Sequence, residues 1–153
     1  MEVYTEDWPI VVFKIVSEPK DINEVNEILK QWTCVYAMSM EKNQKFRLIF
    51  DTTAIKSIKL ELLKPIGQFL VKVKSMTEKW MDRTSILVSS DNVYRLIKFV
   101  FTFYKPVRPF KVFKSMVKAT EWIVSEDPGE TLENEIFKKP DQNTNKISNI
   151  SFD

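Results

Sequence analysis

Two short runs of hydroxyl and carboxylate side chains are the groups whose types and spacing could perform chemistry. Asp51, Thr52 and Thr53 follow one β-branched and aromatic segment, and Ser89 and Ser90 follow another. The carboxyl ends of parallel strands meet at one edge of a sheet, where ligands of α/β proteins bind, so the two runs are expected to face each other there. They are candidates for a partner-binding or phosphorylation site, with Thr52 and Thr53 as the modified hydroxyls. The same residue types also cap helices and form turns, which is the alternative interpretation.

The absence of histidine and the scarcity of glycine restrict the possible chemistry. With no histidine in 153 residues, Ser–His and Cys–His nucleophilic pairs and most zinc sites are excluded. The two glycines, Gly67 and Gly129, do not form a phosphate-binding loop. Cys34, the single cysteine, is interpreted as a small core residue near the apolar side of the first helix. An enzyme would therefore have to use carboxylates, lysine or hydroxyls alone, and we predict no metal site and no cofactor.

A second set of candidates is a basic run that contains no acidic residue between Asp91 and Glu121. With Phe99, Phe103 and Tyr104 nearby, such a run is typical of a surface that binds lipid headgroups, an acidic protein or nucleic acid. An ordinary solvated face is the alternative. Nucleic acid is the partner that the sequence disfavours, because the excess charge is modest and no nucleic-acid-binding motif is present. The basic residues are Arg95, Lys98, Lys105, Arg108, Lys111, Lys114 and Lys118.

Charge and composition divide the chain near residue 126. From Glu126 onward, seven acidic residues stand against three lysines, a net charge of −4, whereas the residues before it carry +6. We predict a domain over 1–126 and an acidic, disordered tail over 127–153, because the tail has few apolar anchors. The acidic N-terminus, the single cysteine and the lack of any apolar run near the roughly 18 residues of a spanning helix favour a soluble cytoplasmic protein.

The elements that must position these residues follow from apolar periodicity. Strands are predicted over 8–16, 45–50, 84–88 and 110–113, with a short partner strand at 3–5. Helices are predicted after Asp21, over 62–81, after Ser89-Ser90-Asp91 and after Ser115. This alternation predicts an α/β fold, in which one small domain has a mainly parallel sheet of four to five strands covered by about four helices.

The run TSILVSSDNVYRLIKFVFTFYKPVRPFKVFKSMVKATEWI reads as strand, helix and short strand, followed by F-x-S opening a helix that ends in E-W-I. In this pattern, over about residues 8–124, the chain resembles STAS-like domains, the fold of bacterial anti-sigma-factor antagonists, which is related to the lipid-binding CRAL-TRIO domain. In antagonist members a strand ends in an Asp-Ser-Ser-Gly-type loop whose serine is phosphorylated by a partner kinase. The corresponding stretch here, Asp51-Thr52-Thr53-Ala54, keeps the acid and a hydroxyl but lacks the glycine and the second serine.

The resemblance implies a non-enzymatic regulatory or scaffold domain that binds a protein partner and has no catalytic residues. An enzyme that uses Asp51, Ser89 and a lysine in an enclosed pocket is a further alternative. The expected contact is the edge from Asp51 to Ile58 together with the helix after it. The alternative hypothesis is peripheral binding to anionic lipid or membrane through the basic run, where each Lys or Arg contributes on the order of 1 kcal/mol. The sequence leaves the identity of the partner and the oligomeric state open.

Overall fold

Strands and helices alternate along the chain as the sequence predicts. The computed structural model describes residues 1–126, and the predicted acidic tail, 127–153, lies outside them. The strands are β1 (Glu2–Tyr4), β2 (Ile10–Lys14), β3 (Phe46–Asp51), β4 (Met81–Leu87) and β5 (Phe110–Phe113). The helices are α1 (Ile22–Lys42), α2 (Leu63–Lys72), α3 (Lys74–Trp80), α4 (Asp91–Phe103) and α5 (Met116–Val124), with a 3-10 turn at Leu60–Leu62 before α2.

The strands form one sheet in the order β1-β2-β3-β4-β5. β1 pairs antiparallel with β2, and β2 to β5 run parallel. The predicted α/β fold with a mainly parallel sheet is thus confirmed. Residues 1–126 hold five helices rather than about four, because the helix predicted over 62–81 is interrupted at Val73. The Val73 side chain is buried in the core, and its backbone leaves helical values there. Met81 already belongs to β4, three residues before the predicted start.

Side-chain caps fix where three of the helices begin. At Asp21, Ser90 and Ser115 the side chain accepts a hydrogen bond from the backbone N–H three residues later. Each cap satisfies a donor that the first helical turn leaves without a partner, which stabilises the helix by about 1 kcal/mol. The caps lie at positions that the sequence predicts.

The helices cover the two faces of the sheet unequally. Right-handed connections between neighbouring parallel strands place α1 to α4 on one face. Leu48 points to that face and packs in a core with Val35 of α1. Its neighbour Ile49 points to the opposite face and packs against Ile123 of α5. Consecutive residues of β3 are therefore buried under different layers.

The longest helix, α1, is buried along one face only. Val35 and Tyr36 are buried, whereas Cys34 is exposed. The interpretation of Cys34 as a core residue is therefore wrong, because one position along a helix rotates a side chain by about 100°. Neither α1 nor any other helix within residues 1–126 combines the length and apolarity needed to cross a membrane.

Candidate functional site

The structure brings the two predicted polar runs together at the carboxyl-end edge of the sheet, which we call the polar edge (Asp51–Thr53 and Ser89–Ser90). The hydroxyl of Thr52 donates a hydrogen bond of 2.7 Å to the carbonyl of Leu87, at the end of β4. The hydroxyl of Ser89 donates at 3.3 Å to the carbonyl of Ile55, in the segment after β3. The two hydroxyls therefore link the ends of neighbouring strands.

The other polar groups of this edge also have partners within the fold. Asp51 is 6% exposed, and its Oδ1 accepts hydrogen bonds from the backbone N–H (2.9 Å) and the hydroxyl (2.6 Å) of Thr53. Ser90 caps α4. Thr52 is 4% exposed, whereas Thr53 is half-buried. Within residues 1–126, no group of three or more metal-ligating side chains is placed to hold a metal ion.

The segment 54–59 leads from the polar edge to the next helix. The carboxylate of Glu18 accepts hydrogen bonds from the backbone N–H groups of Lys56 (2.8 Å) and Ser57 (3.3 Å). Ile55 is buried in the core, while Ile58, a predicted partner contact, is half-buried. The segment is thus fixed at several points before it enters the 3-10 turn.

An apolar groove opens where this segment reaches α2. It has a volume of about 190 Å³ and lies between the start of α2 and the end of α4. Two of its large side chains are open to solvent, since Leu60 is 53% and Phe103 is 67% exposed. The rings of Phe99 and Phe103 meet edge to face, with centroids 5.1 Å apart. The lining consists of Leu60, Leu63, Lys64, Phe99, Val100, Phe103 and Tyr104.

Gly67 sets the distance between the two walls of the groove. A Cβ atom added at Gly67 would lie 2.0 Å from Cε2 of Tyr104, far inside van der Waals contact. The Tyr104 ring therefore packs directly on the backbone of α2. The sequence indicates Tyr104 only as an aromatic neighbour of the basic run and does not reveal this contact. The available signal was a glycine inside a helical apolar stripe, which costs about 1 kcal/mol relative to alanine and indicates close packing.

Three lysines, called the rim lysines below, lie in the lining of the groove or next to a lining residue in the sequence. Lys64 belongs to its lining, and Lys59 and Lys105 directly follow or precede lining residues in the sequence. All three are exposed, and none forms an ion pair with another described residue. Glu61 is the acidic residue of the adjoining 3-10 turn. The groove is thus lined mainly by apolar side chains, and the rim lysines outnumber the adjoining Glu61.

The predicted basic run is spread over both faces of the sheet. Arg95 and Lys98 lie on α4. Lys111 points to the other face, where its Nζ lies 5.8 Å from the ring centroid of Trp122, and Lys118 lies on α5. The run therefore does not form one continuous surface, because β5 and the turn before it carry the chain from one layer to the other.

Two members of the basic run have acidic partners. Nζ of Lys114 lies 2.8 Å from Oδ1 of Asp91. This hydrogen bond, together with the charge of Lys114, lowers the pKa of Asp91 below its ordinary value. Arg108 lies 3.6 Å from the carboxylate of Asp82 and donates to its backbone carbonyl. These pairs reduce the positive charge that the run presents to a ligand.

Asp82 is the centre of an arginine cluster that the sequence did not reveal. Its Oδ2 lies 2.9 Å from Nε of Arg47 and 3.1 Å from Nε of Arg83, in addition to the contact with Arg108. Arg83 is 3% exposed. Both Arg47 and Arg83 also donate to backbone carbonyls at the end of α5, where the helix dipole favours positive charge. The cluster fastens α5 to the sheet.

A larger open groove, of about 340 Å³, lies between the end of β2 and the start of α1. Carboxylates of Asp21, Glu24 and Glu27 line it beside apolar side chains, with no aromatic residue among them. Asp21 caps α1, and Glu24 accepts a hydrogen bond of 2.7 Å from the backbone N–H of Lys20. Asp21 and Glu24 therefore stabilise the start of α1.

Comparison with known proteins does not assign the chain to a family. No protein-family model, curated protein or solved structure matches it.

Proposed function

We propose that this chain is a non-enzymatic, cytoplasmic interaction domain of STAS-like type, with a regulatory or scaffold role, which binds a protein partner through the groove between α2 and α4. The observation that carries the proposal is the exposure of Leu60 and Phe103 at an apolar groove with lysines at its rim. The groove continues the edge from Asp51 to Ile58 and includes the helix after it, where the sequence predicts the contact.

The size and chemistry of the groove favour a side chain of another protein over a small molecule. Its volume of about 190 Å³ is below the roughly 300–1,000 Å³ of usual small-molecule pockets. Exposed aromatic and aliphatic side chains beside a pocket are typical of interface centres, where a few anchors carry most of the binding free energy. We therefore propose a partner segment with one or two large apolar side chains flanked by acidic residues, which the rim lysines attract.

The polar edge supports the groove by holding the segment that leads to it. Thr53 is the candidate for modification there, because the residue is only half-buried and its hydroxyl lies 2.6 Å from the carboxylate of Asp51. A phosphate on Thr53 would repel that carboxylate and remove the hydrogen bond that closes the turn. Thr52 is less suited, since its buried hydroxyl already binds the carbonyl of Leu87.

Affinity capture with matched variants tests the proposal. Phe103→Asp and Leu60→Asp each place a charge where an apolar anchor must dock, which is expected to lower the recovery of specific partners at least about tenfold. Val117→Asp is the control, because Val117 is 66% exposed, close to the 67% of Phe103, but lies on α5 across the sheet. Thermal unfolding verifies that each variant is folded.

Variants at the edge extend the same experiment. Thr53→Glu and Ile58→Asp are expected to weaken recovery less than Phe103→Asp does. If all four folded variants recovered the same partners as the wild type, the proposal would be wrong. Salt-dependent co-sedimentation with vesicles containing phosphatidylserine, unaffected by Phe103→Asp, would instead favour the anionic-lipid hypothesis. The distribution of the basic run over two faces argues against that hypothesis.

A further inference from the structure

We propose that residues 130–137 of this chain occupy the groove themselves and compete with the partner. The proposal rests on the proposed function, because it assigns an internal occupant to the same docking surface. It adds regulation within one chain, since the partner must displace the segment. The segment has the sequence ETLENEIF, in which Glu130, Glu133 and Glu135 alternate with large apolar residues.

The chemistry of the segment matches that of the groove. Leu132 and Ile136 are four residues apart, so one helical turn would place both side chains on the same side, with Phe137 beside them. Large apolar side chains of this kind can pack against the exposed side chains of Leu60 and Phe103. The acidic residues of the segment are complementary to Lys59, Lys64 and Lys105, which have no ion-pair partner among residues 1–126.

The last described residue, Glu126, lies near the connection between α4 and β5, which leads from the α5 side of the sheet to the groove. The carbonyl of Glu126 lies 3.5 Å from Nη2 of Arg83, within the cluster that holds Asp82 and Arg108. Arg108 is four residues beyond Tyr104 of the groove, a stretch of at most about 14 Å. The six steps from Glu126 to Leu132 span at most roughly 20–22 Å, and a helical stretch from Leu132 to Phe137 adds about 8 Å.

Because the segment is part of the same chain, even a weak affinity for the groove is sufficient to keep the groove occupied. A short tether holds a segment at an effective concentration of about 1 mM. A dissociation constant of about 0.1 mM for the separated pair would then fill the groove about nine-tenths of the time. A partner competing for the same groove would bind with an apparent affinity about tenfold lower than without the segment.

Zero-length cross-linking of the full chain tests the contact directly. Carbodiimide joins a carboxylate to an amine only when the two are in contact, so Glu133 or Glu135 is expected to link to Lys59, Lys64 or Lys105. A mixture of isotope-labelled and unlabelled protein separates links within one chain from links between two chains. Links within one chain are expected, whereas links found only between chains would overturn the proposal.

A variant pair tests the consequence. In full-length protein, Leu132→Asp with Ile136→Asp is expected to abolish these cross-links, to increase hydrogen exchange in 60–64 and 99–104, and to raise partner recovery about tenfold. Ile147→Asp with Ile150→Asp is the control, because it places the same charges further along the same tail. Unchanged exchange and recovery in the first variant, or equal changes in both, would overturn the proposal.

The two proposals can fail separately. If Phe103→Asp lowers partner recovery but the cross-links are absent, the groove binds a partner and the internal occupant is wrong. If the cross-links form and none of the four groove and edge variants lowers recovery, the segment occupies the groove but the partner binds elsewhere, which refutes the proposed function.

Discussion

The polar edge is followed along the chain by the groove, and the side chains of the two regions point in opposite directions. At the edge, Asp51 and Thr52 turn inward and bind a backbone N–H and a backbone carbonyl of the fold. At the groove, Leu60 and Phe103 turn outward, more than half exposed. The groups that the sequence singled out for chemistry are thus engaged in local structure, while residues of the type expected in the core stand at the surface. We infer that the edge contributes stability and the groove contributes binding.

The largest expected effect on stability is that of Asp51→Ala. The free energy of unfolding should fall by about 2 kcal/mol, because the N–H and hydroxyl of Thr53 lose a charged acceptor in a partly buried turn. Urea denaturation measures this, with Asp7→Ala, an exposed carboxylate before β2, as the control expected within about 0.5 kcal/mol of wild type. A gain in stability on losing Asp51 would reverse the comparison, since functional polar groups are often retained at a cost in stability.

A smaller loss is expected for Thr52→Val, which keeps the shape of the side chain and removes its hydroxyl. The free energy of unfolding should fall by about 1 kcal/mol, because the Leu87 carbonyl keeps its bond from the backbone N–H of Thr52 at 2.9 Å. The same denaturation curves provide the measurement. An unchanged curve would mean that this hydroxyl does not support the edge, and it would restore Thr52 as a candidate for modification.

Groove variants should separate stability from binding. Phe103→Ser and Leu60→Ser are expected to change the free energy of unfolding by less than about 1 kcal/mol, because both side chains are largely in solvent already. Partner recovery should nevertheless fall. A loss of stability above about 2 kcal/mol would show instead that the groove belongs to the core, and the distinction between the two regions would not hold.

The smallest effect concerns the basic run. Lys114→Ala should raise the pKa of Asp91 toward its ordinary value, because the lowering hydrogen bond and charge are lost. In the wild type, this lowered pKa contributes stability at neutral pH, and the contribution is lost as the pH falls through the pKa of Asp91 in the folded protein. Both groups are exposed, so the change in stability is slight and the NMR titration of the Asp91 carboxyl is the measurement. An unchanged titration would mean that Lys114 is free for an anionic ligand.

The frame of the fold was predictable because its signals are local. Asp21, Ser90 and Ser115 cap helices through N–H groups three residues away, so sequence alone contains both partners. The strands were recognisable from their β-branched and aromatic residues. The break at Val73 was not, because the apolar stripe continues through it and tertiary packing of that side chain decides where the helix is interrupted.

The groove and the distribution of charge depend on contacts between distant elements. The approach of α2 to α4 depends on Tyr104 packing over Gly67, two residues that no local pattern connects. Lys98 and Lys111 are near each other in the sequence, yet one lies on α4 and the other points toward α5, on the far side of the sheet. The closeness of the basic residues in the sequence therefore predicted a larger continuous basic surface than the structure has. It gave no indication of the apolar groove.

The attachment of α5 has a consequence for the order of events during biosynthesis. Arg83 and Ser85 lie on β4, but hydrogen-bond acceptors for both come from α5 and the two residues after it. The chain emerges from the ribosome amino end first. The strands β2 to β5 can therefore pair before α5 has emerged, when Arg83 and Ser85 still lack these acceptors. Limited proteolysis of stalled nascent chains should detect this as protection that appears only after Ser125 has emerged. Until then the face of the sheet around Ile49 is exposed and can be bound by chaperones. Within residues 1–126, this face is covered only when α5 packs on it.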